Sequence, residues 1–350
     1  MKIDVKLLKN ICEVPGAPGF ENPIRQLVIN EIKDHVDSYS VDNMGNVIAF
    51  KKGVKNPEGK SVMVAAHMDE IGFLVSFIDD AGFIRFQTLG GFDPKTLTAQ
   101  RVIIHGKKDI VGVMGSKPIH LMNAEERNKV AKIEDYFIDC GMSKEELVQW
   151  IDIGNPITRE RELIEMGECV NCKSIDNRVA VYILIETLKK MTAPAFDLHA
   201  VFTVQEEVGI RGANVAAHSI NPDFGIALDT TIAYDLPGAQ AHEKVTSLGK
   251  GTAIKIMDAM TICDPRMVKY LKALADKHEI PWQPEILAAG GTDTAGVQRM
   301  GKNGSIAGAI SIPTRHLHQV IEMAHKSDIQ YSVDLLIAAL EELDTATWEY

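Results

Sequence analysis

Two hydrophobic periodicities alternate along this chain, and their order predicts an α/β protein carrying an insertion. Residues 61–66 form a continuous apolar run that ends directly in His67, the pattern of a strand buried on both faces. Runs at 198–204, 224–228, 252–257 and 305–312 predict further strands. Between them the spacing shifts to that of a helix. Asn22 then Pro23 marks a helix start, with Ile24, Leu27, Val28, Ile32 and Val36 recurring on one face. Further helices are predicted over 179–188, from Asp264-Pro265 to about Lys277, and from a capping box of Ser327 with Gln330 to about Leu343.

Residues 70–166 have a different texture. Short β-rich pieces at 71–78, 82–87, 101–105 and 110–114 are separated by Gly, Asp and Pro turns. A polar stretch at 116–135 reads equally as a solvated helix, a mobile loop or an oligomer contact. A length of 350 residues suits about two domains. The expectation is a small β domain over 70–166, inserted into a larger α/β domain formed by 1–69 and 167–350.

Composition removes several functions. Lys and Arg number 37 against 48 Asp and Glu, a net charge of −11 without any basic run, which argues against nucleic-acid partners. No apolar stretch approaches the ~20 residues that span a bilayer, so no membrane role is expected. Met1 to Lys6 lacks a leader's apolar core, giving a cytoplasmic location by default. The five Cys (12, 140, 169, 172, 263) include one close pair, Cys169 and Cys172. They read as free thiols in a reducing compartment, with a stray redox pair as the alternative.

Five islands of metal-ligand residues then stand out: His67-Met68-Asp69, Asp176, Glu206-Glu207, Asp229 and His318. His67, Glu206-Glu207 and Asp229 each close an apolar run, and open α/β sheets gather ligands at the carboxyl ends of strands. Two imidazoles with several carboxylates and no Cys suit paired divalent cations. Asp176 can bridge two ions, with His67 and Asp229 completing one and Glu207 and His318 the other. Asp69 can accept a hydrogen bond from the His67 ring and fix its tautomer. Glu206 is left as the base toward a metal-activated water. Neighbours on a strand point to opposite faces, so both glutamates reach one site only where the strand ends. Taken singly, each residue has an ordinary reading: a core or surface histidine, a solvated acidic pair, or an Asp capping a helix; His316 and His325 also compete with His318. Their coincidence carries the inference.

These residues resemble the M42 metallo-aminopeptidases, the tetrahedral (TET) aminopeptidase group, over essentially the whole chain. The resemblance rests on Ala66-His67-Met68-Asp69-Glu70-Ile71-Gly72, Ser174-Ile175-Asp176-Asn177-Arg178, Gln205-Glu206-Glu207-Val208-Gly209, Ala227-Leu228-Asp229, Gly290-Gly291-Thr292-Asp293-Thr294 and Arg315-His316-Leu317-His318. It implies a zinc-peptidase-like catalytic domain with a mixed α/β/α sheet, and a β-barrel-like insertion that mediates dimerisation. It implies an exopeptidase acting on short peptides with two divalent ions per subunit, usually Zn²⁺ or Co²⁺. His67, Asp176, Glu207, Asp229 and His318 are then the ligands, and Asp69 with Glu206 the catalytic pair. Homo-oligomers, dimers assembling into a tetrahedral dodecamer, are also implied. Gln319 and His316 depart from the family's usual serine and tyrosine.

By the same resemblance, 252–263 and 290–294 line the side-chain pocket. Met257, Met260 and Ile262 favour a neutral or aliphatic residue there, unless they are core packing; Lys255 or Arg178 can instead receive a carboxylate. Two other functions stay open: a metal-independent glycoside hydrolase (some relatives carry endoglucanase labels) and a non-catalytic peptide-binding scaffold. Aromatic content of only 6% disfavours the first, and the intact Glu206 disfavours the second.

Overall fold

The computed structural model describes residues 3–349. Met1, Lys2 and Tyr350 lie outside the described residues, as do the outermost limits of the larger domain and the start of the segment read for a leader. No helix among the described residues is long and apolar enough to cross a membrane.

The molecule is α/β, built on one large mixed sheet. Its centre is four parallel strands in the order Asp197–Thr203, Ser61–His67, Phe224–Ile232, Ile306–Arg315. Antiparallel pairs extend it at both ends, Val47–Lys51 on one side and Glu322–His325 with Cys169–Cys172 on the other. Strands Thr252–Met257 and Trp282–Ile286 branch from Ile306–Arg315. The apolar run of Ser61–His67 is explained by two cores: Val62, Val64 and Ala66 face one, Met63 and Ala65 the other. Helices Val5–Glu13, Asn22–Ile32, Ile175–Lys190, Pro265–Lys277 and Lys326–Glu341 feed the larger core. Arg211–Ile220 and Thr294–Arg299 cover the opposite face through Ala216, Ala217 and Val297.

Six strands between Gly72 and Arg159 close a separate barrel. It has its own core of Phe73, Val75, Ile84, Phe86, Val102, Ile104, Ile138 and Ile157. Strands Phe137–Asp139 and Pro156–Arg159 were too short for the sequence pattern to reveal. Strand Ile164–Met166, expected within the insertion, pairs instead with Cys169–Cys172 in the large sheet. Residues 116–135 are largely exposed and hold a five-residue helix, Ala124–Asn128, opened by an Asn123/Glu126 capping box.

Several boundaries differ from the sequence pattern. Helix Asn22–Ile32 stops short of Val36 because the chain must turn to place Asp37 against Phe50 (N–H to carbonyl, 2.9 Å). The last helix begins at Lys326, and its cap is His325, whose ring accepts from the Ser327 amide; Ser327 itself is helical. Helix Val5–Glu13, missed from the pattern, buries Leu7, Leu8, Ile11 and Cys12 and is capped by Asp4. The five cysteines are free. Cys169 and Cys172 lie three residues apart on one strand, hence on opposite faces, and the thiol beside Cys172 is that of Cys12.

Candidate metal centre

Four connections deliver the candidate residues to one edge of the sheet. His67 is the last residue of its strand. Glu206 and Glu207 follow Asp197–Thr203 by a few residues, and Asp176 lies at the start of helix Ile175–Lys190. His318 sits in the loop between Ile306–Arg315 and Glu322–His325. Asp229 does not end its strand, as the apolar run suggested: pairing with Ile306–Arg315 continues to Ile232. On its other side, however, pairing with Ser61–His67 ends at Ala227 opposite Ala65, so Asp229 stands beyond the last paired residue on that side.

The side chains converge in two groups of three. In each, the ligand atoms lie within 4.8 Å of one another: His67, Asp176 and Asp229, and Asp176, Glu207 and His318. Asp176 belongs to both, with Oδ1 3.5 Å from the His67 Nε2 and Oδ2 3.5 Å from the His318 Nε2. Asp229 is 3.7 Å from the first imidazole, and Glu207 3.6 Å from the second. Glu206 stands off both groups, 3.9 Å from the His67 Nε2.

Each ring is oriented by a backbone carbonyl. The His67 Nδ1–H donates to the Asp69 carbonyl (3.1 Å) and the His318 Nδ1–H to that of Gly91 (2.9 Å). Both arrangements turn Nε2 toward the carboxylates, the nitrogen that a metal-binding histidine frees for the ion when it gives up its proton. The sequence reading gave this task to the Asp69 carboxylate, which lies farther off at 3.5 Å. That carboxylate accepts the amides of Glu206 (3.0 Å) and Glu207 (3.1 Å) instead.

Those two bonds belong to a longer series. The Val204 amide donates to Asn46 (3.0 Å) and the Gln205 amide to Glu21 (3.1 Å). Gln205 has a φ of 55°, a left-handed conformation costing ~1–3 kcal/mol in a non-glycine residue. Four consecutive captured amides hold that turn, and the turn lets adjacent glutamates share one site. Glu21 and Asn46 escaped the sequence reading, because nothing local marks a residue whose partner lies more than 150 positions away.

Electrostatically the site is short of positive charge. Burial pushes Glu206 well above the usual carboxylate range against the pull of His67, and lifts Glu207 to about 8 with help from Asp176. Burial likewise raises Asp229 and takes Asp293 to about 7. Burial also acts to lower both imidazoles, yet contacts with Asp176 and the other acids outweigh it. His67 is held well above its ordinary value, and His318 at about 10. Asp176 resists burial because both imidazoles hold it well below the carboxylate range. Buried carboxylates this dense are costly unless cations compensate them. The imidazole–carboxylate donor set therefore fits divalent ions.

A cavity of about 530 Å³ opens beside these groups. Lys255, Asp258 and Met260 line it, with Gly290, Gly291 and Thr292, whereas Met257 and Ile262 do not. Lys255 is already paired with Asp258 (2.9 Å) and Glu285 (3.4 Å). Arg178 is no carboxylate receptor. Its guanidinium is buried and donates to the carbonyls of Met68, Ile11 and Val14.

Comparison with known proteins places this geometry in context. The family model for M42 glutamyl aminopeptidase matches residues 45–335. The lysyl aminopeptidase of Pyrococcus furiosus is 35% identical over 353 residues, covering 97% of this chain and 98% of the relative. Aminopeptidase APDkam598 of the archaeon Desulfurococcus kamchatkensis superposes with a TM-score of 0.92 at 37% identity, covering 97% and 94%. The TET1 peptidase of Pyrococcus horikoshii, which can assemble into a tetrahedron or a large octahedral shell, superposes with a TM-score of 0.86 at 31% identity, covering 97% and 99%.

Proposed function

The chain belongs to the M42 glutamyl aminopeptidase family and is an aminopeptidase, a hydrolase of peptide bonds; on that premise we propose how its residues divide the work. His67, Asp176 and Asp229 would hold one divalent ion, and Asp176, Glu207 and His318 a second, with Zn²⁺ or Co²⁺ suited to such donors. Bound there, the ions would supply Lewis acidity toward the scissile carbonyl. The observation that carries this reading is Asp176, which turns one oxygen toward each imidazole. Glu206 acts as general base: it takes a proton from the attacking water and returns it to the departing amine as the C–N bond breaks. Asp69 keeps Glu206 in place through its amide.

Substrates are short peptides whose N-terminal side chain enters the cavity. Lys255 faces two carboxylates, so an acidic side chain meets no uncompensated cation, while Ile232, Met260 and Leu287 offer apolar surface. Among the described residues no Phe, Tyr or Trp lines the cavity, which disfavours the sugar-cleaving alternative. Assembly into homo-oligomers, with dimers formed through the barrel and joined into a tetrahedral dodecamer, is supported by the TET1 likeness and by outward-facing Phe77, Val111 and Val113. A cytoplasmic location fits five free thiols.

The test is a panel of leucyl, alanyl, lysyl and glutamyl anilides on protein stripped with chelator and reconstituted with Zn²⁺, Co²⁺ or Mn²⁺. Activity should vanish on stripping, return with ions and be lowest on the glutamyl substrate. Cleavage that survives stripping overturns the metal reading. A glutamyl preference abolished by Lys255→Met overturns the pocket reading.

A further inference from the structure

Glu322 is fully buried, and its carboxylate joins two distant segments of the candidate centre. Oε1 accepts the His318 amide and Oε2 the Asp176 amide, each at 2.9 Å. The two residues it grips need holding. His318 has a φ of 61°, a strained conformation for a side chain of its size, and its ring is 40% exposed at the mouth of the site. Asp176 departs from helical geometry within the first turn of its helix, where backbone amides have no helical acceptor. Glu322 opens the strand Glu322–His325 and pairs with Cys172 of the strand leading into Asp176, so the clamp and its Asp176 side are anchored in the sheet. Asp69 offers a parallel on the opposite side, where one carboxylate captures the amides of Glu206 and Glu207.

We propose that Glu322 is a positioning residue, a carboxylate clamp that sets Asp176 and His318 at their mutual separation before any ion arrives. The inference rests on the metal reading above. It goes beyond that reading by assigning the preformed geometry of the Asp176, Glu207 and His318 group to a residue that belongs to neither group of three. A clamp of this kind lowers the cost of ordering ligands on binding, and loss of groups that orient ligands typically weakens metal affinity 10–100-fold.

The experiment uses the full chain as wild type, Glu322→Gln and Glu322→Asp, stripped of ions and titrated with Zn²⁺ against a chromophoric chelator. The Gln variant keeps the volume but turns an NH₂ group toward one of the two amides. The Asp variant keeps the charge but draws the carboxylate back by one methylene. Both should bind Zn²⁺ about 10–100-fold more weakly. Their Co²⁺ forms should show altered visible absorption, and amide exchange at 176 and 318 should quicken in the ion-free protein. A cap with only a structural role would lower the melting temperature and leave the titration and the Co²⁺ spectrum unchanged, and that result overturns the proposal. If the Gln variant fails to fold, the Asp variant gives the same decision. Wild-type protein that binds no Zn²⁺ in this titration overturns the metal reading and the clamp together. Normal wild-type binding with unaffected variants overturns the clamp alone.

Discussion

Glu206 and Glu207 share one turn, and we assign them different roles because their surroundings differ. Glu207 lies 3.6 Å from the His318 imidazole, within one group of three, while Glu206 stands outside both groups. Glu206→Gln is therefore expected to lower kcat by about 10²–10⁴-fold with metal content retained. Initial rates beside elemental analysis of the same sample check this, and unchanged turnover would remove Glu206 from the role of base. Whereas the choice of His318 over His316 and His325 rested on the overall pattern, His67 and Asp229 were legible in the chain because each closes an apolar run. Glu21, Asn46 and Glu322 were not. Each is one polar residue among many until the fold sets it against a particular amide.

At the scale of elements, Arg178 shows how the centre is braced. Its guanidinium ties the end of helix Val5–Glu13 (Ile11 and Val14 carbonyls) to the exit of the His67 strand (Met68 carbonyl) and lies 3.5 Å from Glu70. Arg178→Ala leaves three carbonyls without their donor and removes one of the two cations beside the buried Glu70, Lys173 being the other. A loss of about 3–5 kcal/mol is expected in urea unfolding, and a loss below 1 kcal/mol would refute the bracing role. His199 is expected to give the sheet a pH response. It stands opposite Phe50 on the neighbouring strand, and burial holds its imidazole below the ordinary value. A depressed histidine contributes stability that is present above its unfolded pKa of ~6.5 and is lost as pH falls through the folded value. Urea midpoints should therefore drop more between pH 7 and 5 in wild type than in His199→Gln. Equal drops would exclude this residue as the source. Element boundaries were the least legible part: Phe224–Ile232 outran its apolar run because partner pairing, not side-chain character, decides where a strand stops.

For the whole molecule, the barrel is the part to which we assign the proposed assembly. Wild-type protein should sediment well above the 38.5 kDa of one chain. The double substitution Val111→Lys with Val113→Lys should shift it toward smaller species, since both side chains point outward from one barrel strand. A wild-type monomer would end the assembly reading. The chain by itself determined the α/β character, the change of texture at the insertion and the chemical types of the centre, because periodicity and side-chain chemistry are local properties. Only the tertiary structure decided that Asp176 turns an oxygen to each imidazole, that Asp69 captures two amides while standing 3.5 Å from the His67 ring, and that Arg178 is buried and occupied. Those outcomes depend on strand order and register, which bring together residues more than a hundred positions apart, and no local pattern encodes such distances.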